Sequence, residues 1–88
     1  MAPYDPPSAH YTQLNVPDID EDTMFEFIGK KGWRFYKLTK VLKVQYLWYD
    51  NKRKAIEVWG SHRALSNEPC KKLRQTLDEW LVEKNIAE

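Results

Sequence analysis

Apolar and polar residues alternate with two different periods along this chain, and the switches between them mark out its elements. Residues 11–16 (YTQLNV) alternate with period two, with Thr12, Leu14 and Val16 on one side and Tyr11, Gln13 and Asn15 on the other. That pattern predicts a short strand, closed by Pro17. An acidic cluster at 18–23 precedes Met24-Phe25-Glu26-Phe27-Ile28. Asp20 or Asp22 can cap a short helix there, and acids in a first turn suit its positive dipole end. After Gly29-Lys30-Lys31-Gly32, the residues Phe35, Leu38 and Leu42 recur at i, i+3 and i+7, which predicts an amphipathic helix over 33–42. Arg34, Lys37 and Lys40 fall together on another face of it.

Residues 44–49 (VQYLWY) have strong β character, Asp50-Asn51-Lys52-Arg53 reads as a polar turn, and Ile56 and Val58 alternate with Glu57 and Trp59 over 55–59. The pair predicts a hairpin, ended by Gly60-Ser61. A last helix starts near Ser66 or Asn67 with Pro69 in its first turn. It runs to about residue 84, and Cys70, Leu73, Leu77, Trp80 and Leu81 form its apolar stripe. The order strand, helix, helix, strand, strand, helix predicts an α+β fold, a three-stranded antiparallel sheet with three helices on one face. Pro3, Pro6 and Pro7 mark residues 1–9 as a flexible tail. The single domain is expected over 10–84, with a C-terminal tail at 85–88.

Length and composition narrow the function classes. Eighty-eight residues with 42% hydrophobic and 14% aromatic content can build one modest core. No apolar run reaches the ~18 residues of a spanning helix, so no membrane partner is expected. The first ten residues carry no Lys or Arg and no apolar run of signal-peptide type. With one cysteine, Cys70, no internal disulfide can form, and an intracellular location, cytoplasm or nucleus, is expected.

The net charge of +1 conceals a strong asymmetry. Residues 1–28 hold six acids and no Lys or Arg, whereas 29–54 hold nine bases against Asp50 alone. A basic segment at the centre of a nearly neutral chain implies a local anionic partner. The Gly29-Lys30-Lys31-Gly32 loop is its most suggestive part. Two glycines permit a sharp turn and close approach, a helix start follows at once, and two ammonium groups stand between them. All of these attract phosphate. The spacing is neither that of a Walker loop nor that of a dinucleotide fingerprint. Taken alone, the tetrapeptide is better explained by a helix–helix turn with solvated lysines, since short motifs recur often by chance.

Its surroundings add to it. Ile28 before the loop, Phe35 and Leu38 after it, Val44, Tyr46 and Trp48 alternating in the next strand, Val58-Trp59-Gly60 at the end of the following one, and Val16-Pro17 leaving the first together resemble the type I K homology (KH) domain of RNA-binding proteins. The resemblance covers residues 11–82. The chain departs from the family pattern at Phe25 and Lys43, where glycine is common, at Trp33, which is large for its place, and in a longer segment before the loop. The resemblance implies a groove that grips about four nucleotides of single-stranded RNA. It implies that Gly29, Lys30, Lys31 and Gly32 clamp the backbone. It assigns Ile28, Trp33, Tyr36 and Lys37 to one wall and Tyr46, Leu47 and Trp48 to the other, with Lys52 and Arg53 in a variable turn. Arg34, Lys37 and Lys40 read equally as a phosphate track or as a solvated helix face.

Among the aromatics, Phe35, Tyr46, Trp48 and Trp80 are expected to be mainly structural, and Trp33, Tyr36 and Tyr49 more exposed. His10 and His62 lack partners at ligand spacing, so no metal is expected. Ser61-His62 lacks an orienting acid, and the acids at 18–22 lack a calcium-loop pattern. No catalytic constellation, cofactor or small-molecule substrate is expected. Two readings remain. One is a single-domain protein that binds single-stranded RNA, with single-stranded DNA as the alternative ligand. The other is a KH-like protein-interaction or assembly module, acting through a protein partner or self-association.

Overall fold

The computed structural model describes residues 11–60 and 67–87. The chain runs through β1 (Tyr11–Asn15), α1 (Glu21–Ile28), a single 3-10 turn (Lys30–Gly32), α2 (Trp33–Leu42), β2 (Tyr46–Asp50), β3 (Ala55–Trp59) and α3 (Asn67–Ala87). The strands form one antiparallel sheet in the order β1-β3-β2. This is the predicted α+β arrangement, with α2 and β3 at their predicted bounds. The last helix continues to Ala87, beyond the end expected near 84, so a C-terminal tail from 85 is corrected to helix. The expected N-terminal tail, and His10, Ser61 and His62, lie outside the described residues.

The central strand decides which face of the sheet is inner. Ile56 stands opposite Leu14 and Tyr49, and Val58 opposite Thr12 and Leu47. Leu47, Tyr49, Ile56 and Val58 join one buried cluster with Met24 and Phe27 of α1, Phe35, Leu38 and Leu42 of α2, and Leu73 and Leu77 of α3. All three helices therefore pack on the same face. Burial of these side chains is what holds the helices down, since short helices gain little from propensity alone.

The pairing corrects the expected orientation of β2. Tyr46 and Trp48 are only half-buried and lie on the helix-free face, opposite Trp59 and Glu57, while Leu47 and Tyr49 point into the core. Tyr46 and Trp48 are thus not core residues, and Tyr49 is not exposed. The run VQYLWY is apolar in both phases, so its own alternation does not select a face. A one-residue change of register would exchange the two sets.

Local signals set the helix ends. Asp20 caps α1: its carboxylate accepts from Thr23 N at 3.3 Å and from Thr23 Oγ1 at 2.5 Å. Lys43 ends α2 in the left-handed region at φ 58°, a place that favours glycine. The Asp20 cap gives a pH dependence. The Thr23 hydroxyl, chiefly, holds the Asp20 carboxyl below its ordinary range. The contribution is therefore complete above the unfolded-state pKa and is lost as pH falls through the lower folded-state value. In melts between about pH 5 and pH 3, the parent should lose more stability than Asp20→Asn, which caps without titrating. Equal losses would show that the cap does not form in solution.

Candidate nucleic-acid interface

A groove of roughly 390 Å³ lies between the α1–α2 junction and β2. Ile28 and Phe25 line it from α1, Phe35, Tyr36 and Thr39 from α2, and Tyr46, Leu47, Trp48 and Tyr49 from β2. Lys31 and Gly32 reach it from the loop, and Gln45 and Asn51 from the two ends of the strand. Among the described residues strand β2 is a sheet edge, paired with β3 alone. Its apolar lining and few polar groups suit a flat, partly apolar ligand.

The loop is built by its two glycines. Gly29 has φ 86° and ψ 168°, and Gly32 has φ 76° and ψ 21°. Between them Lys31 is also left-handed, at φ 58°. This succession turns the chain out of α1 and into α2 within four residues. Gly32 N donates to Gly29 O at 3.0 Å, which closes the turn. Among the described residues no side chain caps the start of α2. Its positive dipole end is thus available to an anion.

Apart from Trp33 and Arg34, the predicted site residues divide into three groups. Ile28, Lys31, Gly32, Tyr36, Tyr46, Leu47 and Trp48 line the groove, and Tyr36 is 68% exposed. Gly29, Lys30, Lys37 and Lys40 are near it in the chain without lining it; the three lysines are exposed. Lys52 and Arg53 are exposed in the hairpin turn, where both backbone N–H groups donate to Asp50 Oδ1, at 3.0 and 3.2 Å. Arg53 also pairs with Asp50 at 3.8 Å.

Trp33 and Arg34 do something other than line the groove. The Trp33 indole lies directly over Gly29, in the space a Cβ would occupy there. The Arg34 guanidinium sits 4.5 Å from the Trp33 ring centroid, 5.2 Å from that of Phe27 and 5.5 Å from that of Trp80. It donates to the Phe27 carbonyl at the end of α1. Burial lowers its pKa, yet a guanidinium stays charged. Arg34 therefore closes the C-terminal end of α1 and joins it to α3 through Trp80. Lys37 and Lys40 carry the cationic face of α2 without it.

Sequence reasoning missed Phe25, Phe35, Thr39, Gln45 and Asn51 as groove residues. For Phe25 a signal exists. Met24 and Phe27 occupy the buried stripe of α1, which leaves Phe25 as an apolar residue off that stripe, 50% exposed.

Lys31 follows the C-terminal end of α1 and Glu21 opens its first turn, at opposite ends of a helix about 12 Å long. At the Glu21 end, Asn51 Nδ2 donates to Glu21 Oε1 at 3.0 Å. Among the described residues no group of His, Cys, Asp and Glu side chains could hold a metal, and no helix is long and apolar enough to cross a membrane. No family model matches the sequence, and neither a curated protein nor a solved structure matches it.

Proposed function

We propose that this chain is a KH-like module that grips single-stranded RNA in the groove beside the Gly29–Gly32 loop. The observation that carries the reading is that Lys31 and Gly32 line a largely apolar groove, at a helix start that no side chain among the described residues caps. Phosphates belong beside them, where charge and backbone N–H groups attract them without reading sequence. Bases belong along the apolar stretch, against Ile28, Tyr36 and the edge strand. Lys37 and Lys40 extend the positive field along α2. Nothing in the groove has the geometry of a catalytic pair, so binding is the proposed activity.

The double variant Lys30→Asp/Lys31→Asp tests this. Both side chains are exposed, so the fold should survive with changes of roughly ±0.5 kcal/mol per site. Affinity for short single-stranded RNA should fall by at least about tenfold, since two attractions become repulsions. Lys31→Ala should lower the slope of log affinity against log salt by about 0.7, and Lys30→Ala by less, because Lys31 is the one that lines the groove. A folded double-Asp variant that binds as the parent does would remove the loop as clamp.

That result would favour the assembly reading, which has a surface of its own. On the helix-free face, Tyr11 stacks on Trp59 at 4.5 Å and Tyr46 on Trp48 at 6.5 Å. Aromatic rows of this kind are common anchors at protein interfaces.

A further inference from the structure

The helix-free face of the sheet holds a carboxylate that asks for a partner. Glu57, in the middle of the central strand β3, belongs to that face, with Gln13 opposite it on β1 and Trp48 opposite it on β2. An acid on an open sheet face is ordinarily solvated, yet Glu57 is only 6% exposed. Among the described residues one group serves it: the Trp59 indole N–H donates to Glu57 Oε1 at 3.3 Å. No Lys or Arg among them pairs with it. A charge buried with one neutral donor is costly, and glutamine would keep the shape and accept the same hydrogen bond without that cost.

The rest of the face indicates what would satisfy it. The three strands present nine positions there, three on each. None of the nine holds Lys or Arg. The other carboxylate among them, Asp50, is taken up by Arg53 and by the N–H groups of its own turn. Around Glu57 stand aromatic rings. Trp48 is across from it on β2, with Tyr46 stacked at 6.5 Å, and Trp59 is two residues along β3, stacked on Tyr11 at 4.5 Å. Ring faces attract cations, and a carboxylate set among them fixes where the cation goes. A planar guanidinium suits both parts, since it lies flat on an indole and donates to a carboxylate at once; an ammonium is compact and strongly hydrated.

We propose that this face receives an arginine side chain of a protein partner, with its guanidinium stacked on Trp48 and paired with Glu57. Charge complementarity carries the inference: a carboxylate without a cation, among aromatic rings, on a face whose strand positions hold no base. The arginine supplies the missing countercharge, and the rings keep water from the pair, which strengthens the attraction. The proposal gives the aromatic rows of this face a ligand of stated chemistry. Glu57 and Trp59 do not line the groove beside the Gly29–Gly32 loop, so the surface acts whether or not that groove takes RNA.

The test titrates the full chain with a capped Gly-Gly-Arg-Gly-Gly peptide and follows the indole N–H resonances of Trp48 and Trp59 by NMR. Lysine and citrulline versions of the peptide are the comparators, citrulline having nearly the shape of arginine without its charge. The arginine peptide should shift both resonances saturably. The citrulline peptide should bind at least about tenfold more weakly, as for loss of a charge-assisted hydrogen bond, and the lysine peptide should fall between them. Glu57→Gln should weaken the arginine peptide by at least about tenfold, and should melt at the parent's temperature or higher, since it removes an uncompensated charge. Equal binding of the arginine and citrulline peptides, or an unchanged affinity in Glu57→Gln, overturns the inference. A lysine peptide that binds as tightly as the arginine one overturns it by removing the role of the planar guanidinium. A lower melting temperature for Glu57→Gln also overturns it, by showing that the carboxylate has its cation within the protein. A parent whose indole resonances do not move overturns it as well, and leaves the RNA-binding reading where it stood.

Discussion

Phe27→Ala should destabilise the domain by about 3–5 kcal/mol, the range for truncating a large, fully buried aromatic. Phe27 is 0% exposed and stands where the three helices meet. Its ring meets Trp80 of α3 edge-on at 5.3 Å and Phe35 of α2 at 6.4 Å. The Arg34 guanidinium lies 5.2 Å from its centroid. Removing the ring opens a cavity, strips two aromatic contacts and takes away one of the three rings that shelter Arg34. Domains of this size hold only about 5–15 kcal/mol in total, so the variant should be close to unfolding at 37 °C. Urea denaturation measures it. A loss below about 1.5 kcal/mol would mean that the helices repack around the gap, a collapse known to lower such costs.

Gly29→Ala should cost about 2–4 kcal/mol, and Gly32→Ala only about 1 kcal/mol, although the two glycines look equivalent in the sequence. Gly32 is in the ordinary left-handed region, and an added Cβ would meet only the Tyr36 ring, at 3.6 Å. Gly29 combines φ 86° with ψ 168°, a region that is essentially closed to residues with a side chain. An added methyl there would also enter the Trp33 indole. Relief requires Trp33 to swing away, which removes one of the rings around Arg34. Chemical denaturation of the two variants, with the Trp33 indole N–H resonance as a local reporter, checks this. Equal costs, or an unmoved indole resonance in Gly29→Ala, would show that Trp33 does not cover the loop.

Much of the architecture is legible in the sequence because several signals coincide at the same places. Helix α2 has a complete apolar period, Phe35, Leu38 and Leu42, bounded by a glycine and by a left-handed lysine. The acidic N-terminus of α1 announces its own cap, and Asp20 supplies it. Strand β3 alternates cleanly in its apolar pair, Ile56 and Val58. The loop chemistry is legible for the same reason: glycines, lysines and a helix start fall within four residues. These features are local, and propensity, capping and dihedral preference act within a few residues of chain.

What the tertiary structure alone decided depends on contacts between distant residues. The face of β2 is one case. Its apolar residues allow either phase, and only pairing with Ile56 and Val58 turns Leu47 and Tyr49 inward and leaves Tyr46 and Trp48 outside. Arg34 is another. A helical wheel groups it with Lys37 and Lys40, but three rings from three parts of the chain draw its planar, weakly hydrated guanidinium in, as they could not a compact ammonium. The inequality of Gly29 and Gly32 arises only when Trp33 folds back over the first of them. The hydroxyl of Tyr49, buried without a hydrogen-bond partner among the described residues, is likewise invisible along the chain. Whether a polar atom is satisfied is a property of everything packed around it, and the strand that carries Tyr49 determines only which way it points.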